Sequence, residues 1–93
     1  MRSMQLERTV RLVNKHGLHA RPAAEFVKIA NQFSAAIQIC KDGQSINGKS
    51  IIEILLLAAE YGTELVLRAN GADADRALDS LENLIRNRFG EED

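Results

Sequence analysis

The stretch NKHGLHARPAA, residues 14–24, decides the fold, because the hydrophobic pattern changes there from a strand period to a helical period. Before it, LERTVRLVN (6–14) alternates apolar and polar residues, and only Arg8 breaks the apolar face. After it, apolar residues recur at helical spacing from Ala23 to Phe33. Pro22 suits a first helical turn, because an amide hydrogen has no acceptor there. The stretch therefore predicts a half-buried strand, a loop and the start of a helix.

The rest of the chain predicts five further elements. AAIQIC and a short strand around Ile46 flank the turn signal Asp42-Gly43, which predicts a hairpin. SIIEILLLAAEYG predicts a second helix, capped by Ser50 and ending at Gly62. A fourth strand, TELVLRA, precedes a third helix, whose start carries acidic residues that the helix dipole accounts for: Asp73, Asp75 and Asp79. The order βαββαβα predicts an α+β two-layer open-faced sandwich, with three helices covering one face of a four-stranded antiparallel sheet.

Composition predicts a single small domain and narrows the choice of partners. The domain is expected over residues 1–93, with its core at 6–89 and flexible ends at 1–5 and 90–93. The net charge is −1 and no dense basic run is present, so neither nucleic acid nor a membrane is an expected partner. A single cysteine, Cys40, and a charged N-terminal stretch favour a cytoplasmic protein, and a monomer is expected. No residue pattern predicts a metal or another cofactor.

The histidine motif has the features of an anion site. His19 lies at or just before the predicted helix start, where backbone N–H groups lack acceptors and the helix dipole favours negative charge. Arg21 adds a guanidinium for phosphate oxygens, and Gly17 permits a tight turn. A neutral imidazole is a nucleophile that can accept a phosphoryl group. From these residues alone, a surface histidine without chemistry remains the alternative. The residue before a proline avoids helical angles, which would make Arg21 the cap and Pro22 the first helical residue.

The segment GLHARPAA, residues 17–24, resembles the active-site signature of HPr, the histidine-containing phosphocarrier of the bacterial phosphoenolpyruvate-dependent phosphotransferase system. The element order, GKSI before the second helix and GAD before the third are similar as well. The resemblance implies a carrier rather than an enzyme: enzyme I would phosphorylate His19 on Nδ1, and enzyme IIA domains would receive the group. It also implies that the Arg21 side chain and the backbone amides of Ala20 and Arg21 hold the phosphate. His16 occupies a variable position and is interpreted as a solvent-facing loop residue. A regulatory binding module remains the alternative from another functional class.

The second helix is too apolar for one buried stripe, so some of its side chains must face solvent. Ile54 and Leu57 are predicted to be buried, whereas Ile51, Ile52 and Leu55 are predicted to form an exposed patch. The resemblance implies that enzyme I and enzyme IIA dock on this patch.

Ser50 combines two predicted roles. It is a good N-cap for the second helix, and it resembles in position the regulatory serine that HPr kinase/phosphorylase modifies. Glu53 departs from the glycine or basic residue that is frequent there. The extra negative charge is expected to alter partner preference.

Residues 43–50, GQSINGKS, also match the P-loop pattern. A working P-loop needs a buried parallel strand before it and an acidic residue after a second strand. Neither is predicted here, so a nucleotide binder is the weaker alternative.

Overall fold

Four strands and three helices make up residues 5–91, the part of the chain that this computed structural model describes. In chain order they are β1 Gln5–Arg11, α1 Ala20–Ala30, β2 Ala36–Lys41, β3 Gln44–Asn47, α2 Ile51–Leu57, β4 Glu64–Asn70 and α3 Ala74–Arg86, followed by a 3-10 turn at Arg88–Gly90. This order confirms the predicted βαββαβα sequence of elements. No helix within this part of the chain is long and apolar enough to cross a bilayer.

The sheet is antiparallel and has the strand order β1-β4-β2-β3. β4 pairs with β1 and β2 on its two sides, and β2 also pairs with β3 in the hairpin. Apolar residues of one sheet face pack against the helices, and the fully buried side chains of this core include Phe26, Ile39, Ile54, Leu65, Leu67, Leu78 and Leu81. The α+β open-faced sandwich is therefore confirmed.

Arg8, the one charged residue on the apolar face of β1, is satisfied by α3. Its guanidinium donates to Asp79 at 2.8 Å, Glu82 at 2.9 Å and Asp75 at 3.1 Å. The hydrogen bonds to Asp79 and Glu82 raise the pKa of Arg8. Asp75 and Asp79 thus fix an edge strand to a helix, a function beyond the dipole complementarity predicted for them.

The predicted end of α2 was wrong by five residues. The helix ends at Leu57, and Ala58 follows in the left-handed conformation, with φ 53° and ψ 41°. The N–H of Ala58 donates to the carbonyl of Leu55 at 3.1 Å, which ends the helical ladder. Gly62 lies in the turn before β4, so the segment between Leu57 and β4 is a loop rather than helix.

The flexible ends that the sequence predicts at 1–5 and 90–93 stay a prediction, and two of these residues belong to secondary structure. Gln5 pairs with Asn70 in the sheet, and Gly90 belongs to the 3-10 turn. Residues 1–4 and 92–93, which that prediction also covers, lie outside the described residues.

Candidate functional site

The loop between β1 and α1 is held against the loop that follows α2. The Leu12 N–H donates to the carbonyl of Thr63 at 3.0 Å, and the Leu18 N–H donates to the carbonyl of Ala59 at 2.9 Å. Gly17 has φ +63°, and a Cβ there would lie 2.4 Å from the oxygen of Ala59. Only glycine allows this close backbone approach, which fixes the loop that leads into α1.

His19 is the N-cap of α1, in an extended conformation with φ −79° and ψ −171°. Its side chain forms no capping hydrogen bond, although its carbonyl accepts the first helical bond from Ala23 at 3.0 Å. The helix begins at Ala20, which places His19 just before the helix as predicted and excludes the alternative in which Arg21 is the cap. Pro22 is the third helical residue, where its missing N–H costs no hydrogen bond. Within residues 5–91, the amides of Ala20 and Arg21 have no acceptor.

The first turn of α1 carries positive charge and no acidic residue of its own. The first turn holds no acidic residue, and the Arg21 side chain is exposed. No hydrogen bond or ion pair within the described chain engages the Arg21 guanidinium. The helix dipole, two amides without acceptors and this guanidinium together favour a phosphate beside His19.

The imidazole of His19 contacts a carboxylate that the sequence did not indicate. Its Nε2 lies 2.9 Å from Oε2 of Glu91, and the side chain of His19 is 40% exposed. The other oxygen of Glu91 accepts from Nδ2 of Asn14 at 3.0 Å. Asn14 is fully buried and also donates to the carbonyl of Gly17 at 2.8 Å. No periodicity or motif marks Glu91, since it follows the last helix in an acidic end.

His16 lies next to His19 but faces solvent, as interpreted from its place in the motif. Its ring meets that of His19 edge to face, with the centroids 5.8 Å apart and the planes at 89°. Its side chain is exposed. No group of three or more His, Cys, Asp or Glu side chains among residues 5–91 is arranged to hold a metal ion.

The start of α2 forms a second surface of the molecule. Its helix N-terminus is capped by nearby side chains. The Ser50 Oγ accepts from the Glu53 N–H at 3.2 Å, and the Glu53 carboxylate accepts from the Asn47 N–H at 3.1 Å. Ile54 and Leu57 are buried, whereas Ile51, Ile52, Leu55 and Leu56 are exposed. The predicted exposure of the apolar patch is confirmed, and the structure adds Leu56, which is the most exposed of the four. The P-loop alternative fails, because residues 44–47 form strand β3 in an antiparallel hairpin.

Comparison with known proteins identifies the family. The family described as PTS HPr component phosphorylation site matches residues 6–87. The chain belongs to the HPr family. The phosphocarrier protein HPr of Cupriavidus necator is 38% identical over 86 residues, which cover 92% of this chain and 97% of the relative. These matches make the chain a phosphocarrier of the phosphotransferase system, and not an enzyme, as its resemblance to HPr implied.

Solved structures support the same family. The crystal structure of HPr from Thermoanaerobacter tengcongensis is 45% identical and matches with a TM-score of 0.90 over 94% of this chain and 98% of that one. The crystal structure of Crh from Bacillus subtilis is 40% identical and has a TM-score of 0.73, covering 89% of this chain and 95% of Crh. That structure is a swapped dimer of a protein named for catabolite repression.

Proposed function

We propose that the chain accepts a phosphoryl group on His19 from phospho-enzyme I and passes it to enzyme IIA domains, in sugar uptake or its regulation. The observation that carries this proposal is the start of α1, where a partly exposed imidazole lies beside the amides of Ala20 and Arg21 and the Arg21 guanidinium. We place this relay in the cytoplasm, since the one cysteine of the chain cannot form an internal disulfide and fits a reducing compartment.

The site supplies the two things that phosphoryl transfer needs, which are positioning and stabilisation of charge on the phosphoryl oxygens. The two amides are fixed by the helix, so they require no rearrangement when the oxygens arrive. Arg21 adds two donors in a planar fork. Because the imidazole is partly exposed, the donor and the acceptor protein approach the same atom from solvent.

Labelling tests this assignment. Incubation with enzyme I and radiolabelled phosphoenolpyruvate is expected to add one acid-labile phosphate, which His19→Ala abolishes. His16→Ala is the matched control, since His16 lies on the same loop without a place at the helix start, and it is expected to keep the label. Labelling of His19→Ala to the level of the parent would overturn the assignment.

We further propose that the exposed apolar patch of α2 receives enzyme I and enzyme IIA. Support comes from the exposure of these side chains on α2. It also comes from the packing of α2 against α1, the helix that has His19 at its start. Contiguous exposed apolar side chains on a small domain commonly mark a protein interaction site. Glu53 adds a carboxylate next to this patch, but its oxygen is held by the Asn47 N–H. Because this contact holds the Glu53 carboxylate in place, a docking partner would meet its negative charge at a fixed position.

Phosphorylation of Ser50 by an HPr kinase/phosphorylase is proposed as the regulation of this relay. Ser50 is half-buried, it caps α2 and it immediately precedes Ile51 and Ile52 of the patch. A phosphate there would add up to two negative charges at the docking surface. Since Glu53 is already present in the first turn, the phosphate would meet a neighbouring carboxylate.

A regulatory output without sugar transport is the second candidate, which is favoured by the likeness to Crh, a protein named for catabolite repression. Binding to an immobilised transcription regulator only in the Ser50-phosphorylated state would favour it.

We also propose that the chain acts as a monomer, and sedimentation at two protein concentrations tests this against a swapped dimer like that of Crh.

A further inference from the structure

We propose that Glu91 is a positioning residue for phosphoryl transfer. Its carboxylate holds a proton on Nε2 of His19 and so presents the Nδ1 lone pair to the phosphoryl donor. The inference rests on the proposed function of His19 and assigns a role to a residue outside the histidine motif.

The hydrogen bond between the two side chains has one direction. Oε2 of Glu91 lies 2.9 Å from Nε2 of His19, and an ionised carboxylate only accepts hydrogen bonds. Nε2 must therefore carry the proton. In the neutral imidazole the second nitrogen is then unprotonated, and Nδ1 is the nucleophile. The Glu91 side chain is 13% exposed, so water competes little for this contact.

Glu91 is itself held from two sides. Nδ2 of Asn14 donates to Oε1 of Glu91 and to the carbonyl of Gly17, so one buried amide group connects the carboxylate to the histidine loop. On the other side, Phe89 is buried in the core two residues before Glu91. Because both anchors are buried, the carboxylate is a fixed acceptor rather than a mobile surface group.

The transfer step balances with this proton in place. The Nδ1 lone pair forms the bond to phosphorus while the bond from phosphorus to the leaving group breaks, and the leaving group keeps that electron pair. The proton stays on Nε2, so the phosphorylated ring is formally cationic. Glu91 faces that positive charge, and the return transfer runs through the same arrangement in reverse.

Three variants separate the effect on the ring from the effect on charge. Glu91→Ala removes the acceptor, and Glu91→Gln keeps an oxygen that accepts from Nε2 but removes the negative charge. Asp42→Asn is the matched control, because it removes the same charge at the tip of the β2–β3 hairpin. Asparagine also tolerates the positive φ of 49° found there.

Two measurements are made on each variant after its thermal unfolding confirms that it folds. The nitrogen chemical shifts of the His19 ring in the unphosphorylated protein, at about pH 8.5 where imidazoles are ordinarily neutral, report which nitrogen carries the proton. Rapid quenching measures single-turnover transfer from phospho-enzyme I. Glu91→Ala is expected to increase the Nδ1–H tautomer and to slow transfer roughly tenfold.

Glu91→Gln is expected to keep the Nε2–H tautomer and to recover part of the rate, whereas Asp42→Asn matches the parent in both measurements. A parent-like tautomer in Glu91→Ala would overturn the positioning role, whatever its transfer rate. The proposed function fails if the parent itself is not labelled on His19. That failure is distinguishable from failure of the positioning role, because the His19 tautomer is measured without any phosphoryl donor.

Discussion

The N-termini of α1 and α2 solve the same physical problem in opposite ways. At α2, the cap residue Ser50 accepts from the Glu53 N–H, and an acid in the first turn complements the helix dipole. At α1, the side chain of His19 caps nothing and the first turn contains no acid. One terminus is closed by its own residues, and the other is left open to an anion.

The open terminus has a cost in stability. A capping side chain typically stabilises a helix by about 1 kcal/mol, and α1 forgoes that contribution. The comparison indicates that the open start of α1 is a functional feature, because a nucleophile lies beside it and no acid occupies its first turn, whereas α3, which also lacks a side-chain cap, has Asp75 in its first turn. Variants that make α1 resemble α2, or that reopen α2, test this interpretation.

Among variants that keep the His19 nucleophile, the largest effect is expected from removing the Arg21 guanidinium. Arg21→Ala should slow transfer from phospho-enzyme I by about 10- to 100-fold, because stabilisation of the phosphoryl oxygens is lost while the nucleophile stays. Stability should change by less than about 0.5 kcal/mol, since the side chain is exposed. Quenched-flow kinetics and thermal unfolding measure the two effects. Arg21→Lys, which keeps the charge but not the planar fork, should be intermediate. A parent-like rate in Arg21→Ala would remove Arg21 from the site.

Closing the α1 terminus with an acid should have the next largest effect. Ala20→Glu places a carboxylate in the first turn, as Glu53 is in α2, and Ala20 is exposed. It should stabilise the protein by about 0.3–1 kcal/mol and slow phosphoryl transfer by roughly tenfold, because the carboxylate repels the phosphate. Ala20→Gln is the uncharged control. If Ala20→Glu transfers as fast as Ala20→Gln, the absence of acid from this turn has no functional meaning.

Reopening or recharging α2 should have smaller effects. Ser50→Ala should lower the free energy of unfolding by about 1 kcal/mol and leave transfer unchanged. Ser50→Asp should keep or raise the Tm, because a carboxylate also caps, and slow transfer from enzyme I severalfold through weaker association that salt partly relieves. Transfer rates at low and high salt distinguish the two variants. Equal rates for parent, Ser50→Ala and Ser50→Asp would leave Ser50 as a cap without a regulatory role.

The sequence predicted the parts of this comparison that depend on local patterns. The change of period at residues 14–24 predicted β1 and α1, and the Ser50 cap was predicted from its residue type and place. The exposed side of α2 followed from counting apolar residues against the width of one buried stripe. These features are decided by neighbouring residues, so a sequence contains them.

Contacts between distant segments could not be predicted in this way. Glu91 reaches His19 across 72 positions of the chain, and the carboxylates that pair with Arg8 lie on α3. The early end of α2 also depends on tertiary contacts, because Ala59 is buried and its carbonyl accepts from Leu18. A helical pattern in residues 50–62 does not show that a loop from elsewhere will bind the backbone there.

The N-terminus of α3 provides the last and smallest test, since its cap residue acts on another segment. Asp73 forms no side-chain cap in its own helix, and its carboxylate accepts from the N–H groups of Ala35 at 2.8 Å and Ser34 at 2.9 Å. The hydrogen bond from the Ser34 N–H is the main cause that lowers the pKa of Asp73. A lowered pKa in the folded state means that the ionised form stabilises the fold. This contribution is fully present above the ordinary aspartate pKa of about 4 and is lost as pH falls through the lower folded value.

Asp73→Asn should therefore lower the Tm slightly at pH 7, and its difference from the parent should shrink on acidification below about pH 4. Asp42→Asn, on the exposed hairpin, should show no such convergence. If the Tm difference of Asp73→Asn is the same at both pH values, the charge of Asp73 does not stabilise this junction, and its geometry alone accounts for the two contacts.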